Sequence, residues 1–463
     1  MSSSTTALPP EPSLSPALQT LRWLFRPIAF MGDCRRRYGD AFSIKFIGFE
    51  TPLVMISDPE AIRALYTARE NGLPPGRTVT LEPIMGPQSI LLQEGSEHLA
   101  RRKLMLPPFH GERMRAYEQV VSEVIEREID RWPTGETFPI HPRMQAVTLE
   151  VILRAVFGVV DPGRLDRLRA VLGGLLGKLS SPSLQFAVLL AGRLPGFDPM
   201  AQVRRVIAEA DELLFAEIAE RRSAADAERR DDILSLLMSA RFEDGEAMSD
   251  GELRDQLMTL LLAGHETTAT ALAWTIDLLL RNPSAMARLE AEVASDDGEE
   301  YMRATISEGL RLRPVIPLAG RRLHSELEVD GFTLPAGTDV TPSIWLTHTR
   351  ADIYPEPFAF RPERFIEQSP ETYSWIPFGG GARRCLGAAF AEFEMRIVLR
   401  ALVGRCELRA GQSGPQGIAR RNVTFSPRAG TPVVMTARKP AAAPRSAHGQ
   451  ADPASGHTQP ALG

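Results

Sequence analysis

Residues 378–387 read Phe-Gly-Gly-Gly-Ala-Arg-Arg-Cys-Leu-Gly, and this stretch places a single cysteine, Cys385, among several glycines. The residues that follow, 388–402, have the composition of a good helix, so Cys385 lies where a glycine-rich loop enters a helix N-terminus. Glycine lets the backbone approach another group closely and adopt a positive φ. Backbone N–H groups at a helix start, together with Arg383 and Arg384, are expected to favour a thiolate over a thiol.

The loop alone leaves three interpretations of the cysteine open. A thiolate there is a nucleophile or a soft metal ligand, and a buried cysteine in a turn is the third alternative. A nucleophile needs a base, and the candidates in the body of the chain, His98 and His348, have no hydrolase context. The three cysteines, Cys34, Cys385 and Cys406, lack metal-site spacing and are too few for a disulfide framework.

The longest helical pattern covers residues 250–281 and begins at two helix-start residues, Ser249 and Asp250. Apolar side chains occupy nearly every face of this stretch, which is typical of a helix at the centre of a large protein. It contains the segment Ala-Gly-His-Glu-Thr-Thr at 263–268. Threonine often bonds back to the preceding helical turn, but glycine, glutamate and two threonines are costly inside a buried helix. The segment therefore indicates a function.

The remaining patterns predict one large, mainly helical domain with small β-sheets at its edges, an α+β fold. Apolar residues recur at helical spacing over 113–132, 144–157, 200–222 and 231–240. Alternating and β-branched residues predict a hairpin at 40–56 and strands at 328–340 and 431–437. The composition predicts disordered tails at 1–16 and 438–463, so the folded domain is expected to cover 17–437.

The bulk composition narrows the classes of function. The 463 residues carry a net charge of −5, which gives no reason to expect a nucleic-acid partner. Sparse cysteines indicate a reducing compartment, and residues 1–16 lack the pattern of a signal peptide, so a cytoplasmic protein is expected. Residues 21–30 are too short and too interrupted by charge for a transmembrane segment. They predict a surface helix, with a membrane-touching face as the alternative.

The cysteine loop resembles the haem-binding loop of the cytochrome P450 monooxygenases. That family's pattern, Phe-x-x-Gly-x-Arg-x-Cys-x-Gly, is matched at Phe378, Gly381, Arg383, Cys385 and Gly387. The resemblance extends over residues 25–437 and implies the family's fold, with haem b between the long central helix and the cysteine-loop helix. It also implies that Cys385 is the axial thiolate of the iron, that Phe378 packs beside the sulfur and that Arg383 reaches a haem propionate.

In the central helix, the segment at 263–268 resembles the family's oxygen-activation motif, Ala/Gly-Gly-x-Asp/Glu-Thr. The resemblance implies that Gly264 opens the helix groove beside bound dioxygen. It gives Thr267 a hydrogen bond to the oxygen that is being reduced, and it gives Glu266 a part in relaying protons from solvent.

Two basic segments resemble the family's propionate-binding sites. His98 and Arg102 stand four residues apart, a spacing that by itself usually marks a solvated helix face. The family uses His/Trp-x-x-x-Arg at this place in the chain. Arg321 matches a further propionate arginine and has a neighbouring rival in Arg322. Several cationic or donor groups around two carboxylates make chemical sense.

A charge triad is implied in the same way. Glu308 and Arg311, three residues apart, would alone be a common surface pair of little energetic value. The resemblance joins them to Arg364, in the later segment Pro-Glu-Arg-Phe at 362–365. The triad is expected to be structural, holding the region behind the haem loop, and not catalytic.

The resemblance also implies the substrate pocket and the redox partner. The pocket is expected to include segments 73–92 and 172–190, with Leu260, Ala263, Val315, Ile316 and Phe425. These mostly apolar walls favour a lipophilic substrate such as a terpene, a fatty acid or a polyketide. No flavin, nicotinamide or iron–sulfur signature is present in the sequence, so a ferredoxin and its reductase are expected to supply electrons for O2 reduction, docking on the Cys385 side. A monomer is the family's default.

Two rival functions share this fold. A peroxygenase or isomerase uses a peroxide substrate and needs no electron partner, and such members typically lack the acid–alcohol pair, which is present here as Glu266 and Thr267. The other rival is a non-catalytic haem-binding protein, a sensor or a carrier. The intact motif in the central helix argues against both.

Overall fold

The chain is described by a computed structural model over residues 8–440, except 50, 69–70, 74–76, 110, 112, 160, 180–183, 185–197, 199, 227–228, 296–297 and 422. Residues 1–7 and 441–463, for which the sequence predicts disorder, lie outside the described residues. Residues 8–15, predicted to belong to the N-terminal tail, lie instead along the first strand. The Ser43 N–H and hydroxyl donate to the carbonyl oxygens of Pro10 and Pro9 at 2.9 and 2.8 Å. The carbonyl oxygens of the two prolines accept these hydrogen bonds and hold the segment against β1, since proline lacks only the backbone donor.

Helices make up most of the described structure, as the sequence predicts. They are α1 (Pro16–Phe25), α2 (Pro27–Tyr38), α3 (Pro59–Thr67), α4 (Arg77–Met85), α5 (Gly95–Met105), α6 (Arg113–Asp130), α7 (His141–Val151), α8 (Pro162–Leu179), α9 (Ala201–Ser223), α10 (Ile233–Ser239), α11 (Asp250–Arg281), α12 (Pro283–Ser295), α13 (Glu300–Leu312), α14 (Ile344–His348), α15 (Arg364–Glu367) and α16 (Ala388–Arg405). The predicted helix at 144–157 is divided, because a π-helical turn (Ile152–Val156) continues α7.

The central helix α11 has the bounds that the sequence predicts, residues 250–281. A capping box fixes its start: the Ser249 hydroxyl accepts from the Glu252 N–H at 3.2 Å, and Glu252 Oε2 accepts from the Ser249 N–H at 2.9 Å. Side chains on every face are buried, from Leu253 near the start to Leu279 near the end. The helix therefore forms the axis of the largest apolar core.

The strands form four small sheets at the edges of the helical body. They are β1 (Ala41–Ile44), β2 (Leu53–Ile56), β3 (Asn71–Gly72), β4 (Thr137–Pro139), β5 (Arg321–Leu323), β6 (Leu327–Val329), β7 (Phe332–Leu334), β8 (Asp339–Pro342), β9 (Cys406–Ala410), β10 (Ile418–Arg421), β11 (Thr424–Pro427) and β12 (Pro432–Arg438). The largest sheet has the order β1-β2-β8-β5-β3, and β1–β2 is the hairpin predicted at 40–56, with Ala41 opposite Ile56. A three-stranded sheet, β4-β12-β9, and the hairpins β6–β7 and β10–β11 complete the set.

Helix α1 lies on the surface and presents large apolar side chains to solvent. Leu18, Leu21 and Leu24 are each between 40% and 50% exposed, and Phe25 is 74% exposed. The spacing of these residues gives α1 an outward apolar stripe. Among the described residues, no helix combines the length and the apolarity that crossing a membrane requires.

Candidate active site

The cysteine loop is closed by backbone contacts before it enters α16. A 3-10 turn (Gly381–Arg383) precedes the cysteine, and the Cys385 N–H donates to the Phe378 carbonyl at 2.9 Å. The N–H of Gly387 donates to the Cys385 sulfur. The loop thus turns its thiol towards the beginning of the helix, as the glycine-rich sequence predicts.

The glycines of the loop are required by a neighbour, Tyr66 of α3. A Cβ on Gly380 would overlap the Tyr66 ring, and a Cβ on Gly381 would overlap the Tyr66 backbone carbonyl. Gly381 also has a φ of +63°, which side chains with a Cβ rarely adopt. Tyr66 was not predicted, since nothing in its local sequence connects it to a loop so far along the chain.

The Cys385 side chain combines surface exposure with loss of hydration. It is exposed, yet burial raises the pKa of its thiol, while the Gly387 N–H, Arg384 and Arg102 act in the opposite direction. The sequence predicts that backbone N–H groups, Arg383 and Arg384 favour a thiolate. In the structure Arg102 acts on the thiol in place of Arg383, and burial outweighs all of these groups in the protein alone. A metal cation bound at the sulfur would drive deprotonation.

Four basic side chains predicted to bind propionates converge near this thiol. Burial, together with the charges of Arg383, Arg102 and Arg321, lowers the pKa of His98 to about 4, so His98 is neutral at pH 7. Arg102 donates to the Arg384 carbonyl at 2.7 Å, and Arg383 to the Gln93 carbonyl at 2.7 Å. Arg321 donates to the Gly320 carbonyl at 2.9 Å and stacks on Tyr66. The carbonyls that accept from Arg102 and Arg321 are neutral, so these two guanidinium groups keep a positive charge that suits carboxylates.

The structure distinguishes Arg321 from its rival Arg322. Arg321 is 7% exposed and lies with the basic cluster, whereas Arg322 makes two 2.9 Å hydrogen bonds to the carboxylate of Asp339. Alternate side chains of a strand point to opposite faces, so neighbours in β5 have different surroundings.

A stripe of accessible residues interrupts the buried surface of α11. Leu260, Ala263, Gly264 and Thr267 are exposed or partly exposed, whereas their neighbours Leu261, His265 and Thr268 are buried. These four positions repeat every three or four residues and share one helix face, whereas Leu262 and Glu266, also partly exposed, lie on another. The four residues leave open space along one face in the middle of a helix that the core otherwise surrounds.

Two side chains of the predicted oxygen-activation motif have defined partners. The Thr267 hydroxyl donates to the Ala263 carbonyl at 2.6 Å. Glu266, one position earlier, turns towards α7, where the Gln145 amide donates to its carboxyl group. Ile152, at the π-helical turn, would lie 3.3 Å from a Cβ on Gly264, so the absence of a side chain there permits this close approach.

The predicted charge triad comes together, with Glu308 and Arg311 fully buried and Arg364 partly buried. Arg311 donates to Glu308 through Nε at 2.6 Å and Nη2 at 2.8 Å, and Arg364 Nε donates to Glu308 at 3.1 Å. Arg311 also donates to the His348 carbonyl at 2.7 Å, while the His348 Nε2 accepts from the Ile376 N–H at 2.8 Å. The triad therefore connects α13 with the segment that leads into the cysteine loop.

The other predicted residues occupy varied places. Phe378 is partly buried with its ring edge-on to Trp375. Val315 is buried and Ile316 partly buried, and the Val315 carbonyl accepts from the Phe425 N–H at 2.7 Å. The Phe425 ring packs in a separate core cluster beside Trp23, at 6.4 Å between ring centroids. Much of the predicted pocket segment 172–190 lies outside the described residues.

The thiol, the basic cluster and the accessible stripe fit an iron porphyrin. A thiolate suits iron, the basic groups suit two propionates, and the stripe supplies an apolar wall with one hydroxyl. Sequence reasoning missed the partners of Glu266, because Gln145 lies 121 positions away in a helix whose apolar spacing carries no sign of this contact. The fold and this donor set define a haem-thiolate protein.

Comparisons with known proteins agree with this class. The cytochrome P450 family model matches residues 9–430. The chain is 40% identical over 455 residues to cytochrome P450 135B1 of Mycobacterium bovis, covering 96% of this chain and 95% of that one. It is 39% identical to cytochrome P450 137 of Mycobacterium tuberculosis, over 86% and 83% of the two chains.

Solved structures share the fold at lower identity. The retinoic acid-bound cyanobacterial CYP120A1 superposes with a TM-score of 0.79 at 24% identity, covering 94% of this chain and all of that one. The haem domain of cytochrome P450DA gives a TM-score of 0.82 at 22% identity, over 94% and 99% of the two chains. The chain belongs to the cytochrome P450 family. It is a haem b-binding monooxygenase.

Proposed function

We propose that Cys385 is the axial thiolate of the haem iron, and that the enzyme inserts one oxygen atom from O2 into a C–H or C=C bond of a lipophilic small molecule. The observation that carries this proposal is the exposed Cys385 thiol at the start of α16, with the basic cluster of His98, Arg102 and Arg321 nearby. When bound, the haem supplies the binding and reductive activation of O2. The N–H of Gly387 holds the sulfur in place and moderates its charge.

The basic cluster holds the haem propionates in this proposal. His98 acts as a neutral donor, and Arg102, Arg321 and Arg383 act as cations. Charge-assisted hydrogen bonds to carboxylates are stronger than neutral ones, so these four groups orient the macrocycle. Phe378 packs on the sulfur side.

On the opposite side, α11 positions oxygen and moves protons. Gly264 leaves space in the helix face, and Thr267 offers its hydroxyl to that space in place of the Ala263 carbonyl. Glu266 passes protons inward. The presence of this acid–alcohol pair favours a monooxygenase over a peroxygenase or isomerase, and over a haem protein without catalysis.

The substrate is expected to be lipophilic. Leu260 and Ala263 contribute apolar surface to the stripe, and Val315 and Ile316 lie in the adjoining segment before β5. Terpenes, fatty acids and polyketides are the classes to examine. A ligand panel that displaces iron-bound water, read from the visible spectrum, tests this part; shifts with polar ligands alone would contradict it.

Electrons are expected from a ferredoxin and its reductase. Arg384, exposed beside Cys385, gives this side of the protein a basic group that complements an acidic carrier. Reduction by an acidic ferredoxin should slow as ionic strength rises, because salt screens exposed charges. Reduction rates independent of salt and of Arg384→Glu would exclude this docking side.

The axial ligand is tested by the spectrum of the reduced protein with carbon monoxide. Cys385 ligation predicts the strongly red-shifted Soret band of the family, and Cys385→His should bind haem without that band. A wild-type spectrum that lacks the band would overturn the assignment.

A further inference from the structure

The carboxyl group of Glu266 is enclosed by donors from two helices. Gln145 of α7 donates its amide N–H to Oε2, and the Thr270 hydroxyl of α11 donates to Oε1 at 3.4 Å. His141, at the start of α7, lies with its Nε2 3.7 Å from Oε1. The Glu266 carboxyl therefore rests against α7, although Thr267, its neighbour in the chain, belongs to the stripe of accessible residues on α11.

His141 is connected to this carboxyl through Thr270. Its Nε2 lies 3.0 Å from the Thr270 oxygen, and both residues are fully buried. Burial lowers the pKa of His141 to about 3, helped by Arg421 and His265, so the ring is neutral. Thr270 has one proton, and donating it to Glu266 leaves its oxygen to accept from the ring. His141 is then the Nε2–H tautomer, which agrees with Nδ1 having no hydrogen-bond partner among the described residues.

The remaining charged groups around Glu266 act from other elements. Arg421, at the end of β10, lowers the pKa of Glu266 through its charge, in opposition to burial, which raises it. His265 of α11 is buried, and this burial lowers its pKa to about 4, so it is neutral as well. The carboxyl thus has neutral donors in Gln145 and Thr270, and the charge of Arg421 acts on it from β10.

We propose that Gln145 and His141 are positioning residues for Glu266: Gln145 holds one carboxyl oxygen directly, and His141 holds the other by orienting the Thr270 hydroxyl. The proposal rests on the proton-relay role proposed for Glu266. Without the His141 N–H, the Thr270 hydroxyl is free to turn back to a carbonyl of its own helix. Without Gln145, the carboxyl loses its strongest donor. In either case the acid leaves the place from which it passes protons to the Thr267 side.

The experiment is an infrared pH titration of the protonated Glu266 carboxyl in the haem-loaded protein, with the band assigned by its loss in Glu266→Gln. The Gln145 amide and the Thr270 hydroxyl, which His141 orients, both favour the charged carboxylate. In Gln145→Leu and His141→Phe the protonated band should therefore persist to higher pH than in the wild type. His141→Gln, which keeps an N–H donor, should restore the wild-type titration. Thr275→Val is the matched control, since Thr275 is a buried threonine of α11 bonded to the Ala271 carbonyl.

A second measurement reports on the proton transfer itself. Hydrogen peroxide released per electron pair should rise roughly three- to tenfold in Gln145→Leu and His141→Phe, the factor expected for one lost hydrogen bond. Variants that lower the melting temperature but leave the infrared titration and the peroxide yield unchanged would overturn the proposal, because His141 and Gln145 would then be structural. The infrared titration needs no turnover and can be read even if no oxidised product forms. A failure of this proposal can therefore be told apart from a failure of the proposed monooxygenase function.

Discussion

Arg321 and Arg322 are adjacent in β5 but have opposite environments. Arg321 stacks on Tyr66 near His98, whereas Arg322 is paired with Asp339. The sequence predicted Arg321 and kept Arg322 as its rival, because strand register depends on partners far along the chain. Motif residues such as Cys385 were predictable from local pattern, but the side-chain directions in a three-residue strand were not.

This pair allows a matched test of propionate binding. Arg321→Gln should lose haem about ten- to a hundredfold faster than the wild type, since a hydrogen bond to a charged group contributes about 1.5–3 kcal/mol. Arg322→Gln removes the same charge one position away and should lose haem at the wild-type rate. Transfer of haem to an excess of a haem-scavenging protein measures both. Equal rates in the two variants would show that Arg321 does not hold the haem.

The buried carboxyl of Glu394 in α16 makes stability depend on pH. Burial raises its pKa from 4.5 to about 8, and its Oε1 has no hydrogen-bond partner among the described residues. Between these two values the folded carboxyl keeps a proton that the unfolded one has released. The unfolded state therefore binds fewer protons, and the free energy of unfolding falls as pH rises through this window.

Glu394→Gln should remove this dependence. At pH 8 the variant is expected to be more stable than the wild type by about 1–3 kcal/mol, the range found for a buried polar group without a partner. At pH 5 the difference should be small, because the folded carboxyl is then protonated. Urea unfolding followed by far-ultraviolet circular dichroism, with haem in excess, measures both. The exposed Glu290, changed to Gln, is the control, and an equal response of the two variants would contradict the assignment.

The thiol of Cys385 marks a limit of reasoning from the motif. The sequence identified the groups that favour a thiolate, and the structure places them around the sulfur, but burial has the larger effect on the pKa of the thiol. Desolvation arises from the whole surrounding fold, so ten residues of local sequence could not reveal its size.

At the level of elements, the triad connects α13 to the segment before the cysteine loop. Glu308→Ala would leave the fully buried guanidinium of Arg311, and the partly buried one of Arg364, without their carboxylate. Breaking a buried pair in this way typically removes about 3–5 kcal/mol from the free energy of unfolding. Denaturant unfolding should show this loss, whereas Glu356→Ala, at an exposed pair with Arg361, should change stability by less than about 1 kcal/mol. A small effect at Glu308 would exclude the triad as a structural connection.

Element boundaries followed from sequence where one periodic pattern covered a whole helix. The central helix was predicted at its observed bounds, because its capping residues and apolar pattern agree. The π-helical turn after α7 was not predicted, since its residues Ile152–Val156 are apolar and continue the same pattern. The direction of Phe425 also escaped prediction, because a hairpin residue reaches either face according to a register that the strand partner decides.

On the scale of the whole molecule, the C-terminal strand completes a sheet made of distant segments. β12 lies between β4 and β9, and beyond it the Lys439 N–H donates to the Arg405 carbonyl at 2.7 Å. A chain ending at residue 440 should therefore fold and bind haem with a stability within about 0.5 kcal/mol of the full chain, as for changes outside the core.

The control for this truncation is a chain that ends at residue 431. It lacks β12, so β4 and β9 lose their shared partner, and no carbon monoxide-shifted Soret band should form. Thermal melting and that spectrum compare the two truncations. A large loss of stability in the longer chain would mean that residues 441–463 contribute to the folded domain.

Tyr66 and the cysteine loop have a consequence for how sequences of this lineage diverge. A larger residue at Gly380 collides with the Tyr66 ring, so it is acceptable where position 66 has become smaller, and the two positions should covary among descendants. Gly381 meets the Tyr66 backbone carbonyl instead, and every residue type carries that carbonyl. No substitution at position 66 can compensate for a larger residue at position 381. Gly381 should therefore stay invariant in sequences in which position 380 varies.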